Sequence, residues 1–491
     1  MARDADQGAA GCAGLLPDAV LRGEAYGRLA ALLERHWDEV GRLAVAPAAG
    51  YADLDERVRE FDFAAPLPLP ELLDTVAGLL RDGIVHTAHP RYFGLFNPTP
   101  TFAGVLGDAL VAAFNPQLAV TSHAPAAVAI ERHVLAFLAD CLRLPTATGI
   151  FTSGGAEANL TAMLVALERH FPEATEQGLG AVAGQPTLYV SAEAHHSLVK
   201  AARMTGLGHA AVRSIRVTDD LTLDVEALRS TIASDRAAGR RPFLVVATAG
   251  STAAGVIDPL PEMAELCQHA GLDLHVDAAW AGAVSLAPRL RPLLDGIEHA
   301  DSVTIDAHKW LSAPMGAGMF LTRHGQDLTR AFRVETNYMP SAENADPYLM
   351  SAQWSRRFIG LKVFMALAAV GQDGYAAQIE HDCRLGDRLR SRLRDDGWQI
   401  VNSTPLPIVC FTPQTCEQGA SMERLTRIAR QVETSGAAWI SVAKLARRPA
   451  LRACITSYRT TQSDIDALGD ALIDAASWHA NESHPCNTDP P

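Results

Sequence analysis

Two stretches, Leu272-Asp273-Leu274-His275-Val276-Asp277-Ala278-Ala279-Trp280 and Ser302-Val303-Thr304-Ile305-Asp306-Ala307-His308-Lys309-Trp310, share one pattern. Each opens as a short run rich in apolar and β-branched residues and ends in ionisable groups. Runs at 187–190, 214–217, 243–248 and 318–321 read the same way, and helical periodicity fills gaps at 156–171, 197–204 and 261–270. Alternation of this kind from about residue 103 to 323 predicts a mostly parallel sheet covered by helices on both faces. Such sheets gather ligands beyond the carboxyl ends of their strands, where Asp277, Asp306, His308 and Lys309 stand.

Outward from this core the patterning changes. Apolar positions recur at helical spacing over 26–40 and 69–80, separated by a polar passage through Pro66, Pro68 and Pro70. These helices present apolar faces that need a partner surface, which suggests a dimerisation arm. After 361–395, a long helical stretch, a strand over 408–411 mixes with helices over 422–435 and 462–476, as in a smaller α+β unit. The last residues, 481–491, are rich in Pro, Asn and Ser and are expected to be disordered. The expected division is 1–92, 93–366 and 367–491, because 491 residues exceed what one core organises.

Composition narrows the function. Nearly half the chain is apolar and the formal net charge is −14, which argues against a nucleic-acid surface. No run of about twenty apolar residues offers a membrane span. The first residues lack a secretory pattern, so a cytoplasmic enzyme is expected. The eight cysteines show no paired metal spacing, so free thiols are expected and no metal site.

Five segments carry chemistry, though each has an ordinary reading when taken alone. Thr152-Ser153-Gly154-Gly155-Ala156-Glu157-Ala158-Asn159 precedes a helix, where free N–H groups bind phosphate; it could equally be a simple cap. Ala194-His195-His196-Ser197 offers an imidazole that could stack on a flat ring or sit at the surface. Thr248-Ala249-Gly250-Ser251-Thr252 brings hydroxyls to the end of a strand, or only a turn. Asp277 ends an apolar strand, and a buried carboxylate needs a cation, either an arginine or a protonated ring nitrogen. Lys309 is one lysine among many, but its place after a strand, downstream of a phosphate-like loop and a buried acid, marks it for imine chemistry.

Together these segments resemble the group II decarboxylases that depend on pyridoxal 5′-phosphate (PLP), the family of aromatic L-amino acid, glutamate and cysteine sulfinate decarboxylases. The likeness runs from about residue 69 to 466. It takes in His89-Pro90-Arg91-Tyr92-Phe93-Gly94, Leu451-Arg452-Ala453-Cys454-Ile455 and the order of Asp277, Lys309 and Tyr338. It implies PLP fold type I, an aspartate aminotransferase-like α/β architecture with a seven-stranded, mostly parallel sheet. A homodimer with active sites at the subunit interface is also implied. By the same resemblance Lys309 carries PLP as a Schiff base, and Asp277 pairs with the pyridinium nitrogen. His195 and Ala279 would lie on the two faces of the ring. Ser153, Gly154, Gly155 and Ala156 would hold the phosphate, helped by Thr252, Asp306 and His308.

The implied reaction is decarboxylation of an L-amino acid to its amine, with Tyr338 in Glu335-Thr336-Asn337-Tyr338-Met339-Pro340 returning a proton to Cα. Relatives that form aldehydes with oxygen commonly replace this tyrosine by Phe or the stacking histidine by Asn, whereas both residues are present here. An aminotransferase would share Lys309 and Asp277 but would usually add a dedicated carboxylate-binding arginine. Phe96, Asn97 and Pro98, with His195, align with substrate-facing positions. A loop over 117–123 is expected to reach across a dimer interface, with His123 where aromatic decarboxylases offer an aromatic ring. Arg91, Arg356 and Arg357 are open to substrate-binding or structural roles.

Overall fold

A computed structural model describes residues 15–47, 49–334, 346–414 and 420–482. Its main sheet comprises β1 (Thr148–Thr152), β2 (Pro186–Ser191), β3 (Val212–Ile215), β4 (Arg241–Thr248), β5 (Asp273–Asp277), β6 (Ser302–Asp306) and β7 (Gly318–Thr322). The seven strands lie in the order β1-β7-β6-β5-β4-β2-β3. β7 runs antiparallel to β1 and β6, and the other neighbouring pairs are parallel. The runs read from the sequence form strands within about two residues of their expected ends. β1 does not stand out in the sequence because Thr148-Gly149-Ile150-Phe151-Thr152 is short and holds a glycine.

Helices Gly155–His170, Ser197–Met204, Val225–Ala237 and Leu260–Ala270 follow β1, β2, β3 and β4 in turn. Each parallel connection needs such a crossover. β5, β6 and β7 are buried along their whole length. β7 is apolar over Met319-Phe320-Leu321, whereas β5 and β6 also bury polar side chains, among them His275 and Thr304, which are hydrogen-bonded there.

A second sheet contains β8 (Trp398–Ile400), β9 (Ile408–Pro413), β10 (Ser441–Leu445) and β11 (Arg448–Cys454), antiparallel in the order β10-β11-β9-β8. Only β9 is apparent from sequence. The β10–β11 hairpin turns through Ala446 and Arg447, at φ 46° and 73°. Two successive positive φ values are usually supplied by Asn-Gly, so this turn carries no sequence signal. The helix Gly360–Asp395 links the two sheets and breaks at Gly371, whose φ is 71°. One face of its C-terminal half, with Leu385, Leu389 and Leu393, packs into the apolar core of the smaller sheet beside Val409, Phe411 and Leu451.

The N-terminal helices Ala19–Glu39, Tyr51–Arg59 and Leu69–Gly83 bury no residue fully. Arg28 and Asp74 tie the first to the third at 2.6 Å, yet Leu29, Leu33, Val76 and Leu80 remain exposed beside a groove between them. The helical reading of this segment thus holds, and its apolar surface is unpaired among the described residues. The helix Gln462–Glu482 carries regular structure slightly past residue 481, and the tail beyond it lies outside the described residues. No helix among the described residues is long and apolar enough to cross a membrane. The five described cysteines, Cys141, Cys267, Cys383, Cys410 and Cys454, are free, and no cluster of metal-ligand side chains occurs among the described residues.

Candidate active site

The carboxyl ends of the parallel strands open on a cavity of about 270 Å³. Ser153, Gly154, Gly155 and Ala156 enter it from the turn after β1, and His195 from the turn after β2. Thr248, Gly250 and Thr252 come from the end of β4, Asp277, Ala279 and Trp280 from β5, and Asp306, His308 and Lys309 from β6. The structure therefore brings together each cofactor residue expected from the sequence. Phe96 lines the cavity, whereas its neighbours Asn97 and Pro98 do not. Tyr338 lies outside the described residues. Asn159, Thr248, Gly250 and Trp280 are added, each lying within or beside a segment that already carried the signal.

Close packing explains two of the glycines. A Cβ on Gly155 would stand 2.8 Å from Asp306 Oδ2 and 3.3 Å from Ala279 Cβ, so only glycine lets the turn close onto the strand ends. Gly250 has φ 87°, and a Cβ there would meet the Trp280 indole at 2.6 Å. The first turn of the helix Gly155–His170 leaves N–H groups without intrahelical partners, and Gly155 and Ala156 stand in it at the cavity wall. Such an end favours an anion.

The ionisable groups divide by partner. Asp277 is 6% exposed and accepts hydrogen bonds from Asn159 Nδ2 at 2.8 Å and Ala279 N at 3.1 Å. Among the described residues no cationic side chain pairs with it, so the alternative of an arginine partner is not realised. Lys309 Nζ lies 3.1 Å from Asp306 Oδ2, while Asp306 Oδ1 is buried without a hydrogen-bond partner. His195 Nδ1 accepts from Ser197 N at 3.2 Å, which leaves its other ring nitrogen as the protonated one. Desolvation chiefly lowers the pKa of His195, and the same cause lowers that of His308. Both imidazoles are therefore mainly neutral near pH 7.

A second wall comes from distant parts of the chain. Trp310 stacks on Trp280 at 5.1 Å and 9°, and Trp280 meets Phe96 at 5.1 Å. Lys309 Nζ lies 5.6 Å from the Phe96 ring centre, and the Arg452 guanidinium lies 4.7 Å from it. Arg452 is 3% exposed. Its Nη1 donates to Gly94 O and to Ser441 Oγ, but among the described residues Nε and Nη2 are buried without a hydrogen-bond partner. In the sequence Arg452 stands within Leu451-Arg452-Ala453-Cys454-Ile455, with nothing local to give it a task. The other arginines in question are engaged elsewhere: Arg356 with Glu131 at 3.2 Å and Arg357 with Asp108 at 3.0 Å.

The pyridoxal-dependent decarboxylase conserved domain matches residues 58–414. The chain belongs to that family. An aromatic-L-amino-acid decarboxylase of Bacillus atrophaeus is 29% identical over 426 residues, covering 85% of this chain and 87% of the relative. An acidic amino acid decarboxylase of Mus musculus is 32% identical over 385 residues, covering 73% and 68%. The crystal structure of mouse CSAD in apo form superposes with a TM-score of 0.88 at 26% identity, covering 93% of this chain and 99% of that one.

As a pyridoxal-dependent decarboxylase, the chain is a carboxy-lyase acting on amino acids with PLP as cofactor. The cavity fits that group. A buried carboxylate without a cation is costly, and a protonated pyridine nitrogen would supply one at Asp277. The helix N-terminus at Gly155 and Ala156 would suit the phosphate, and Lys309 would offer the amine.

Proposed function

We propose that this pyridoxal-dependent decarboxylase converts an L-amino acid to the corresponding amine and carbon dioxide, with Lys309 as the amine that carries PLP. The observation that carries this reading is one cavity holding the cation-less Asp277 carboxylate, the Lys309 amine and a wall adjoining the unpaired donors of Arg452. PLP, when bound, supplies an electron sink for the bonds of the substrate α-carbon.

The side chains do the rest. Asp277 holds positive charge on the cofactor ring by a charge-assisted hydrogen bond. Asp306 Oδ2, 3.1 Å from Lys309 Nζ, is placed to hold the proton of the free ammonium. His195, neutral and flat, would stack on the cofactor ring, and the small Ala279 would leave room for it. Ser153, Gly154, Gly155 and Ala156 cradle the phosphate, with Thr252 and His308 beside them. Arg452 anchors a substrate carboxylate through Nε and Nη2, because a buried guanidinium with two empty donors is stabilised by such a partner. Phe96, Trp280 and Trp310 exclude water from that side. Orientation of the scissile bond by these fixed groups can account for several powers of ten in rate.

Tyr338 is assigned the return of the proton to Cα on the strength of the family resemblance. The unpaired apolar groove of the N-terminal helices supports a homodimer, with the loop over 117–123 reaching the partner's site. Within its own chain that loop is turned elsewhere: Thr121 N donates to Asp346 at 2.8 Å, and Ala119 O accepts from Tyr348 N at 3.1 Å. The break at Gly371 supports a boundary between the large and small domains near residue 366.

The decisive experiment screens the standard amino acids and their acidic and aromatic analogues for carbon dioxide release, with the organic product identified. Stoichiometric amine supports decarboxylation. A keto acid without carbon dioxide identifies an aminotransferase, and aldehyde with oxygen consumption identifies an oxidative decarboxylase. In the first case Tyr338→Phe is expected to shift product from amine toward aldehyde.

A further inference from the structure

Behind Asp277 lies a hydrogen-bonded cluster to which the roles given so far assign no task. Asn159, Ser197, His275, Ser302 and Thr304 are each at most 7% exposed. Asn159 Nδ2 donates to Asp277 Oδ2 at 2.8 Å and to Ser197 Oγ at 2.9 Å. Its Oδ1 accepts from Thr304 Oγ1 at 2.8 Å and faces His275 Nε2 at 3.1 Å. His275 Nδ1 in turn lies 2.8 Å from Ser302 Oγ.

Thr304 Oγ1 also lies 3.3 Å from His275 Nε2, but its shorter contact is to Asn159 Oδ1. An amide oxygen only accepts, so the closer Asn159 contact favours the His275 proton on Nε2, with Nδ1 accepting from the Ser302 hydroxyl. Burial, the dominant influence, keeps this imidazole neutral by bringing its pKa down to about 4. With Oδ1 engaged by two donors, the Asn159 amide has one orientation, and its NH2 group faces the carboxylate.

We propose that Asn159, held by His275 and Thr304, is a positioning residue that keeps the Asp277 carboxylate aimed at the ring nitrogen of bound PLP. The hydrogen bond from Asn159 Nδ2 fixes the direction in which the carboxylate faces. Deprived of that bond, Asp277 is free to turn away, and the ring nitrogen loses the partner that holds its proton. A ring that loses its proton is a weaker electron sink, so Asn159 acts on the rate without touching substrate. The inference rests on Asp277 being the partner of the ring nitrogen.

The test uses the full-length protein reconstituted with PLP labelled with 15N in the ring, because the nitrogen shift reports ring protonation and a purely structural role would not move it. In wild type the signal is that of a pyridinium. Asn159→Leu moves it toward neutral pyridine and lowers kcat roughly thirtyfold, while KM for the amino acid changes less than about threefold. His275→Leu, which frees the Asn159 amide to turn over, lowers kcat roughly tenfold. His275→Gln, whose side-chain amide can donate to Asn159 Oδ1, recovers most of that loss.

A pyridinium signal and wild-type kcat in Asn159→Leu would overturn the proposal. So would a loss of kcat matched by an equal loss in Tm with the nitrogen signal unmoved. Asp277→Asn separates the two levels of the argument. If its nitrogen signal equals that of wild type, the pairing of Asp277 with the ring fails as well. If it shifts while Asn159→Leu does not, only the role of Asn159 fails.

Discussion

The proposed cofactor half of the cavity and the proposed substrate half beside it are built in opposite ways. The cofactor half uses turns that directly follow β1, β2, β4, β5 and β6, so residues such as Asp306, His308 and Lys309 arrive together on a few consecutive positions. The substrate half joins Phe96, from the segment before the main sheet, to Arg452 on β11 of the smaller sheet. A parallel sheet fixes the first half by its own regularity. The second depends on how two sheets dock.

Substitutions on the two sides should therefore fail differently. Lys309→Ala, in the cofactor half, is expected to lower turnover by roughly a thousandfold or more and to leave no borohydride-fixed PLP on the protein. A reducible covalent link in that variant would move the cofactor amine elsewhere. Arg452→Met, in the substrate half, is expected to lower kcat/KM roughly a hundredfold while the affinity for PLP stays within about threefold. Equal losses in both quantities would break the contrast between the halves. Phe96→Leu keeps an apolar wall but removes the ring shared by Lys309 and Arg452, so roughly a fivefold rise in KM is expected, read from steady-state rates.

The smallest effect lies behind the aromatic wall. Asp382, buried, accepts from Trp310 Nε1 at 2.8 Å and from Gln378 Nε2 at 2.8 Å. Burial outweighs these donors and pushes its carboxyl up to about 7. A raised carboxyl pKa means that the folded state holds a proton which the unfolded chain releases above about pH 4. Stability from this group is thus full below about pH 4 and is lost as pH rises through 7. Asp382→Asn does not titrate, so the Tm of wild type minus that of the variant should decline between pH 5 and 8. A difference independent of pH would show that Asp382 stays ionised and only braces Trp310.

Legibility in the sequence followed the same division. Lys309, Asp277, His195 and the glycine turn could be named because each stands at a strand end within a short motif. Asn159 stands in the same segment without a legible role, since its partners His275 and Thr304 sit on two strands remote from its helix in the sequence. Arg452 was equally visible and equally mute. An arginine in an apolar run announces burial, but which of its donors lack partners is a property of the packed interior. The β10–β11 hairpin escaped notice for a local reason, its Ala446-Arg447 turn lacking the residues that usually permit positive φ.

The sequence by itself determined the alternation of strands and helices, and through it the row of reactive groups along one edge of the sheet. Strand and helix periodicities and the motifs at strand ends are local properties, written in a few neighbouring residues. Only the tertiary structure decided that, among the described residues, Asp277 has no cationic side chain beside it, that Asn159 is locked by His275, and that Arg452 meets Phe96 with two donors free. Those facts concern distances between residues remote in the chain, and burial turns each of them into an energetic demand that a cofactor or substrate can meet.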